Sequence, residues 1–158
     1  MSQPRKSPYI WVTWLTKLLV GEAQCEWAAW IKAHNFFDKR PSDFDLTSWQ
    51  IEHTALLGAT RKDLEGEEYK VSIEGENSFE WIGKTARLAG KPDIIALRED
   101  ESLIIDTKTG KPRVSDCAQV MIYMWAIPYA IPKYKNTKFK GMGRTPMSVS
   151  SAGSQPAA

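Results

Sequence analysis

The sequence predicts a mixed α/β (α+β) protein with core order α-β-β-β-α-β, a mixed central sheet flanked by helices. Three observations predict it. Apolar residues recur at offsets of three and four at Trp11, Trp14, Leu15, Leu18 and Leu19, and again from Trp49 to Leu57, as in amphipathic helices. The apolar runs 94–97 and 103–105 flank the charged turn Arg98-Glu99-Asp100-Glu101, which reads as an antiparallel hairpin. An almost wholly apolar stretch around Val120-Met121-Ile122 has helical length, and the alternating run 137–142 follows it as a last strand.

Taken in order, the first helical stripe resumes at Trp27, Trp30, Ile31 and His34 after a weak point at Gly21. His34 continues that stripe, so it reads as a packing histidine. Residues 38–43 form a charged, breaker-rich loop. A second helix starts near Thr47 or Ser48, with Glu52 placed to complete a capping box, and ends at Gly58. His53 lies four residues after Trp49 and three before Leu56, hence on the interior face. From the residues alone it is a buried structural histidine, unless the helix packs beside the carboxylate end of the hairpin. Residues 60–68 are charged and not expected to be rigid. Residues 69–73 alternate as a strand, 74–78 turn, and 79–83 extend.

In the hairpin, Asp93 opens the first strand and Asp106 closes the second, so the two should be neighbours. Lys108 shares the face of Asp106 by the two-residue period. Two carboxylates and a lysine converging at an open hairpin end suggest a divalent cation. Thr109-Gly110-Lys111-Pro112 turns the chain into a third helix, capped by Ser115 or Asp116 and running to Pro128. Gln119 and Tyr123 interrupt its apolar surface on one face. The folded domain is expected over 1–142, with a helical part at about 8–59. Residues 143–158 are small, polar and without period, and are expected to be disordered.

The 158 residues suit one domain, 42% apolar and 25% charged. Seven tryptophans are many for this length and mark cores or binding surfaces. Net charge is only +2, yet Lys133, Lys135, Lys138, Lys140 and Arg144 fall together without an acid, a run able to meet phosphates or simply solvated. Cys25 and Cys117 make neither a disulfide framework nor a zinc site, which fits a reducing cytoplasm. The apolar run 9–20 follows Arg5 and Lys6 but contains Lys17 and is followed by Glu22. It is neither a signal peptide nor long enough to span a bilayer.

The string G-K-P-D ending at Asp93, thirteen residues before D-T-K, resembles the PD-(D/E)XK nuclease superfamily, in particular its RecB-like branch and CRISPR-associated RecB-like exonucleases. His53 on the helix before the sheet, the T-G-K ending at Lys111 and the Q-x-x-x-Y of Gln119 and Tyr123 extend the resemblance over about 11–142. It implies a restriction-endonuclease-like core and metal-dependent hydrolysis of DNA phosphodiesters. Asp93 and Asp106 would hold Mg²⁺ or Mn²⁺, with His53 and the Thr107 carbonyl as further ligands, and the imidazole suits Mn²⁺. Asp93, Asp106 and Lys108 would be the catalytic set, Lys108 by orienting a water or stabilising charge on the phosphate, with its pKa open to depression by burial. Gln119, Tyr123, Lys111, Lys138 and Lys140 would bind or support substrate.

Single- or double-stranded DNA is the implied partner, with nuclease, helicase or CRISPR-type proteins and no membrane. Each residue alone has an ordinary reading, such as a surface ion pair for Asp106 and Lys108, but five such coincidences in order are improbable. Relatives with an iron–sulfur cluster carry one upstream and three C-terminal cysteines. Only Cys25 sits in such a position here, so no complete cluster is expected within this chain. The family-like character fades soon after Lys140, and a C-terminally shortened or frame-altered member is expected. The alternative function is therefore a catalytically impaired nucleic-acid-binding or assembly module on the same fold. D-T-K-T-G differs from the D-K-T-G-T loop of cation-pumping ATPases, which is set aside.

Overall fold

The computed structural model describes residues 3–38 and 46–145. The chain opens with β1 (Gln3–Pro4), β2 (Tyr9–Trp11), α1 (Val12–Leu19), α2 (Glu26–His34) and β3 (Asn35–Phe36). There follow α3 (Leu46–Gly66), β4 (Lys70–Ile73), a 3-10 turn (Glu74–Asn77), β5 (Phe79–Ile82) and β6 (Arg87–Gly90). Then come β7 (Ile94–Leu97), β8 (Ser102–Thr107), α4 (Val114–Ala130), a second 3-10 turn (Pro132–Tyr134) and β9 (Lys140–Arg144).

The central sheet has the order β4-β7-β8-β9, antiparallel except for the parallel β8–β9 pair, so it is mixed as expected. A second sheet runs β2-β6-β5, and β1 pairs with β3. The hairpin register sets Ile94 opposite Ile105 and Ile95 opposite Ile104. Alternation then divides the core into two layers. Ile95 and Ile104 join Tyr123, Ala126 and Ile127 of α4 on one face, while Ile94, Ala96, Leu103 and Ile105 meet Leu57 and Leu64 of α3 on the other. Both faces are covered, so these strands are apolar without a break, as strands buried on both sides must be. Burying such a side chain stabilises the fold by about 1.5–3 kcal/mol.

Two glycines are dictated by close approach. A Cβ on Gly90 would sit 2.6 Å from the Tyr123 ring, and one on Gly141 would sit 2.4 Å from Val120. These are the points where β6 and β9 meet α4.

Several expectations need correction. Residues 60–66 continue α3 rather than loosening, because Thr60 and Leu64 extend the buried stripe of Leu57 while Arg61 and Glu65 pair outside at 2.7 Å. The charges that suggested mobility are simply the solvent face. β2 and β6 were hidden in sequence: Trp11 belongs to a strand as well as preceding α1, and Arg87–Gly90 carries no alternation. Helix α4 starts at Val114 and passes through Pro128 to Ala130. Gly143 and Arg144, expected in a disordered tail, lie in β9, where Arg144 reaches Asp63 of α3 at 3.1 Å. The rest of that tail, 146–158, and most of the 38–43 loop lie outside the described residues.

Helix α2 forms, but its apolar stripe is not buried: Trp27 is 65% exposed, and Trp27, Trp30 and His34 stack on one another. His34 is held by its own helix, through Nδ1 to the Trp30 carbonyl at 2.8 Å, rather than by a core.

Candidate metal centre

The hairpin places its two carboxylates where parity predicts. Asp106 shares the α4 side of the sheet with Ile104, and the register of Ile94 with Ile105 brings Asp93, one residue before β7, beside it. Asp93 is pinned by its neighbour strand, its Oδ2 accepting from Thr107 N at 2.7 Å and Thr107 Oγ1 at 2.8 Å. That leaves Asp93 Oδ1 facing α3, where His53 Nε2 lies 3.8 Å away. The His53 ring stacks on Trp49, one turn earlier in α3, with centroids 5.0 Å apart and planes 11° from parallel. The histidine therefore stands at the carboxylate end of the hairpin, its side chain 12% exposed.

A residue that sequence reading passed over completes this group. Glu74 Oε1 stands 3.5 Å from His53 Nε2, and the ligand atoms of His53, Glu74 and Asp93 all fall within 4.8 Å of one another. Glu74 reads in sequence as a turn residue. Its turn is unusual, with a φ of 36°, in the left-handed region that only glycine adopts freely. Glu74 N donates to the Asp93 carbonyl at 2.8 Å. Asn77, fully buried, locks the turn by donating Nδ2 to the Ser72 carbonyl at 3.0 Å and accepting from Ser72 Oγ at 2.8 Å. Neither residue had a motif to signal it; proximity to Asp93 arises only when β4 pairs with β7.

Asp106 is 2% exposed and sits beside this cluster rather than in it. Gln119 Nε2 donates to its Oδ1 at 2.9 Å and lies 3.2 Å from the Tyr123 hydroxyl, so the two α4 residues act as one polar pair. Lys108 Nζ stands 2.7 Å from Asp106 Oδ2, but off the hydrogen-bonding direction, so this solvent-inaccessible oxygen keeps unused acceptor capacity. Burial pushes the Asp106 carboxyl up to about 6; Lys108 opposes that rise and Asp93 adds to it. For Lys108 burial works downward, yet Asp106, Asp116 and Asp93 together hold it above the ordinary lysine value. The depression by burial that the sequence left open is outweighed. Burial likewise raises the Tyr123 phenol, keeping it a neutral donor.

This donor set fits a hard divalent cation. Two carboxylates and an imidazole crowd one point, and a buried carboxylate oxygen beside them lacks a well-directed partner. All of it opens into a cleft of about 820 Å³ whose walls include Trp11, Lys17, Trp49, Lys91, Lys111 and Arg113. Lys111 thus lines the cleft. Lys138 is exposed and does not line it, and Lys140 is drawn to Glu101 at 2.6 Å, at the turn of the hairpin. The N-terminus of α4, expected to be capped by Ser115 or Asp116, follows Arg113 instead. Asp116 Oδ2 accepts from Arg113 N at 2.8 Å, and Glu22 arrives from the α1–α2 loop to accept from Ser115 N and Oγ at 3.1 and 2.7 Å. Cys25 has a local task, its Sγ accepting from Ala28 N at 3.4 Å at the start of α2.

Among the described residues no helix is long and apolar enough to cross a membrane. A family model described as the PD-(D/E)XK nuclease superfamily matches residues 15–140. Among solved structures, the crystal structure of SSO0001 is similar over 92% of this chain, with 20% identity and a TM-score of 0.48. The alignment covers 66% of that protein, so this chain spans slightly under two thirds of its length. No curated protein matches the chain significantly.

Proposed function

We propose that this chain, which belongs to the PD-(D/E)XK nuclease superfamily, is a RecB-like, metal-dependent nuclease that hydrolyses phosphodiester bonds of DNA. The observation that carries the reading is the convergence of Asp93, Asp106 and Lys108 on one cleft, with His53 and Glu74 beside them. Asp93, Glu74 and His53 would hold the ion, and Asp106 would share its Oδ2, now paired with Lys108 at 2.7 Å, with it. Mg²⁺ or Mn²⁺ bound there would supply positive charge to a scissile phosphate.

The protein's own groups do the rest. Lys108, kept protonated by its acidic neighbours, acts as a cation toward charge developing on the phosphate rather than as a proton acceptor. Asp106 lies poised to gain or lose a proton near pH 6, so it is ready to ionise when a cation arrives. Gln119 fixes the Asp106 rotamer through Oδ1, and Tyr123 stands behind Gln119. Thr107, bonded twice to Asp93, keeps that carboxylate turned with its second oxygen toward His53. Lys111 and Arg113 at the cleft rim offer contacts to phosphates. Cys25 and Cys117 are free thiols, which supports a reducing cytoplasm.

The test is incubation with linear and circular DNA in Mg²⁺, Mn²⁺ or EDTA. Cleavage that needs metal and disappears in both Asp106→Ala and Lys108→Ala is expected. Undiminished cleavage by the Lys108→Ala protein would overturn the assignment of charge stabilisation, and DNA binding without any cleavage would favour a non-catalytic module.

A further inference from the structure

We propose that the outer face of α4 binds the same face of a second copy of this chain, the two molecules pairing antiparallel about a twofold axis at Met121. The polarity of α4 is inverted for a helix at a protein surface. From Cys117 to Ala130 it carries no charged side chain. Gln119 and Tyr123 point inward, buried beside Asp106. Outward stand Val114, Met121, Trp125 and Tyr129, each more than half exposed. With Ala118 they fall at offsets of four, three, four and four, which makes one continuous stripe. A helix that is apolar on every side belongs in an interior. Among the described residues nothing packs over this stripe from outside.

The area is what a dimer needs. Ile82, at the end of β5, joins the four exposed side chains of the stripe, and the five are 52–73% exposed. At about 200 Å² for a large apolar side chain, these fractions leave on the order of 600 Å² on each molecule. That is the upper end of what a monomer displays as one apolar patch. Two such faces together bury about 1,200 Å², where specific interfaces begin. The aromatic end of the patch is also ordered in advance. Trp81 of β5 stands edge-on to Trp125, with centroids 4.9 Å apart, and lies 6.0 Å from Tyr129. Little side-chain freedom is left to lose on docking.

The occupant is a second copy because the stripe is complementary to itself. With the axis between positions 121 and 122, an antiparallel α4 sets Val114 opposite Tyr129 and Ala118 opposite Trp125. Met121 then meets its own copy. Each large side chain faces a small one, the condition for close helix packing, and the adaptable methionines fill the centre. No charge lies within the stripe, so two chains of the same net charge meet there without like charges opposed. None of the stripe residues lines the cleft, so a pair carries two clefts that stand outside the contact.

The experiment is sedimentation velocity of the full chain over about 1–100 μM, the range for an interface of small area. Mass should rise toward twice that of one chain. Met121 is 68% exposed, so substitution there spares the fold, which thermal melts check. Met121→Lys and Met121→Glu should each raise the dissociation constant about 100-fold or more, because the axis sets each charge against its own copy. Mixed in equal amounts, the two variants should recover the dimer. That recovery requires position 121 to meet itself across the contact. Met121→Leu should remain paired.

A chain that stays monomeric throughout, a dimer indifferent to both charges, or a mixture no more associated than its two components overturns the proposal. Flotation of a monomeric chain with phosphatidylcholine vesicles would give the face to a lipid surface and overturn it as well. The readout is mass, with neither metal nor DNA present, so its failure is distinct from a failure of the nuclease reading.

Discussion

The metal-free protein should lose stability as pH rises through the Asp106 titration, and Asp106→Asn should abolish that loss. Folded Asp106 has its pKa raised from 3.8 to about 6, first by burial, with Lys108 opposing and Asp93 reinforcing. The folded state therefore holds a proton that the unfolded chain has released between those two values. A group with a raised folded pKa contributes stability that is complete below the unfolded pKa and lost as pH climbs through the folded one. A shift of about two units corresponds to about 3 kcal/mol. For a domain of this size, that is about 6–12 °C in Tm.

Asparagine keeps the oxygen that accepts from Gln119 but does not titrate, so the slope should vanish. Lys108 loses its partner in the variant, at a cost that is constant across the window because Lys108 stays charged throughout and still has Asp116 at 3.6 Å. The informative quantity is therefore the slope, not the absolute Tm. Thermal melts in EDTA from pH 4 to 8 provide it. Parallel curves for the two proteins would refute the reasoning, since they would mean that Asp106 ionises as freely in the folded chain as in the unfolded one. Addition of Mg²⁺ or Mn²⁺ above pH 6 should restore the lost stability in the unaltered protein and much less in the variant.

Other perturbations have separate readouts. Lys108→Ala should reduce the cleavage rate about 10²- to 10³-fold, as for removal of one preorganised charge-stabilising donor, with DNA binding little changed. Glu74→Gln should weaken Mn²⁺ binding by about 10–100-fold, seen by calorimetry, because it removes a carboxylate held 3.5 Å from His53. Gly90→Ala should cost about 1–3 kcal/mol in denaturant unfolding, since its Cβ would meet the Tyr123 ring at 2.6 Å. It should also lower activity by displacing Tyr123 and, through it, Gln119.

The sequence by itself determined the hairpin and brought its two carboxylates to one end. Lys108 could be placed on the face of Asp106 because side-chain direction in a strand follows from counting, and Asp93 beside Asp106 because a short polar turn between apolar runs leaves few registers. The Gln119–Tyr123 pair was equally legible, since a four-residue spacing in a helix fixes a shared face. The mixed class followed from the switch between periods of about 3.6 and 2.

Only the tertiary structure decided what meets the hairpin. Whether His53 faces an apolar core or the carboxylate end depended on where α3 packs, a choice that periodicity cannot make because it says which face is inward and not what lies there. Glu74 became a ligand candidate because β4 pairs with β7 and a left-handed turn carries the chain over Asp93. The charges of 60–66 looked like a loop until Leu64 found the far side of the sheet. Conversely, the stripe of α2 looked buried, but among the described residues nothing packs over it closely enough to bury it. Trp49 shows the division most clearly: its place on a helical face was readable from spacing, while its stacking on His53 at the mouth of a cationic cleft required every surrounding element to be in position.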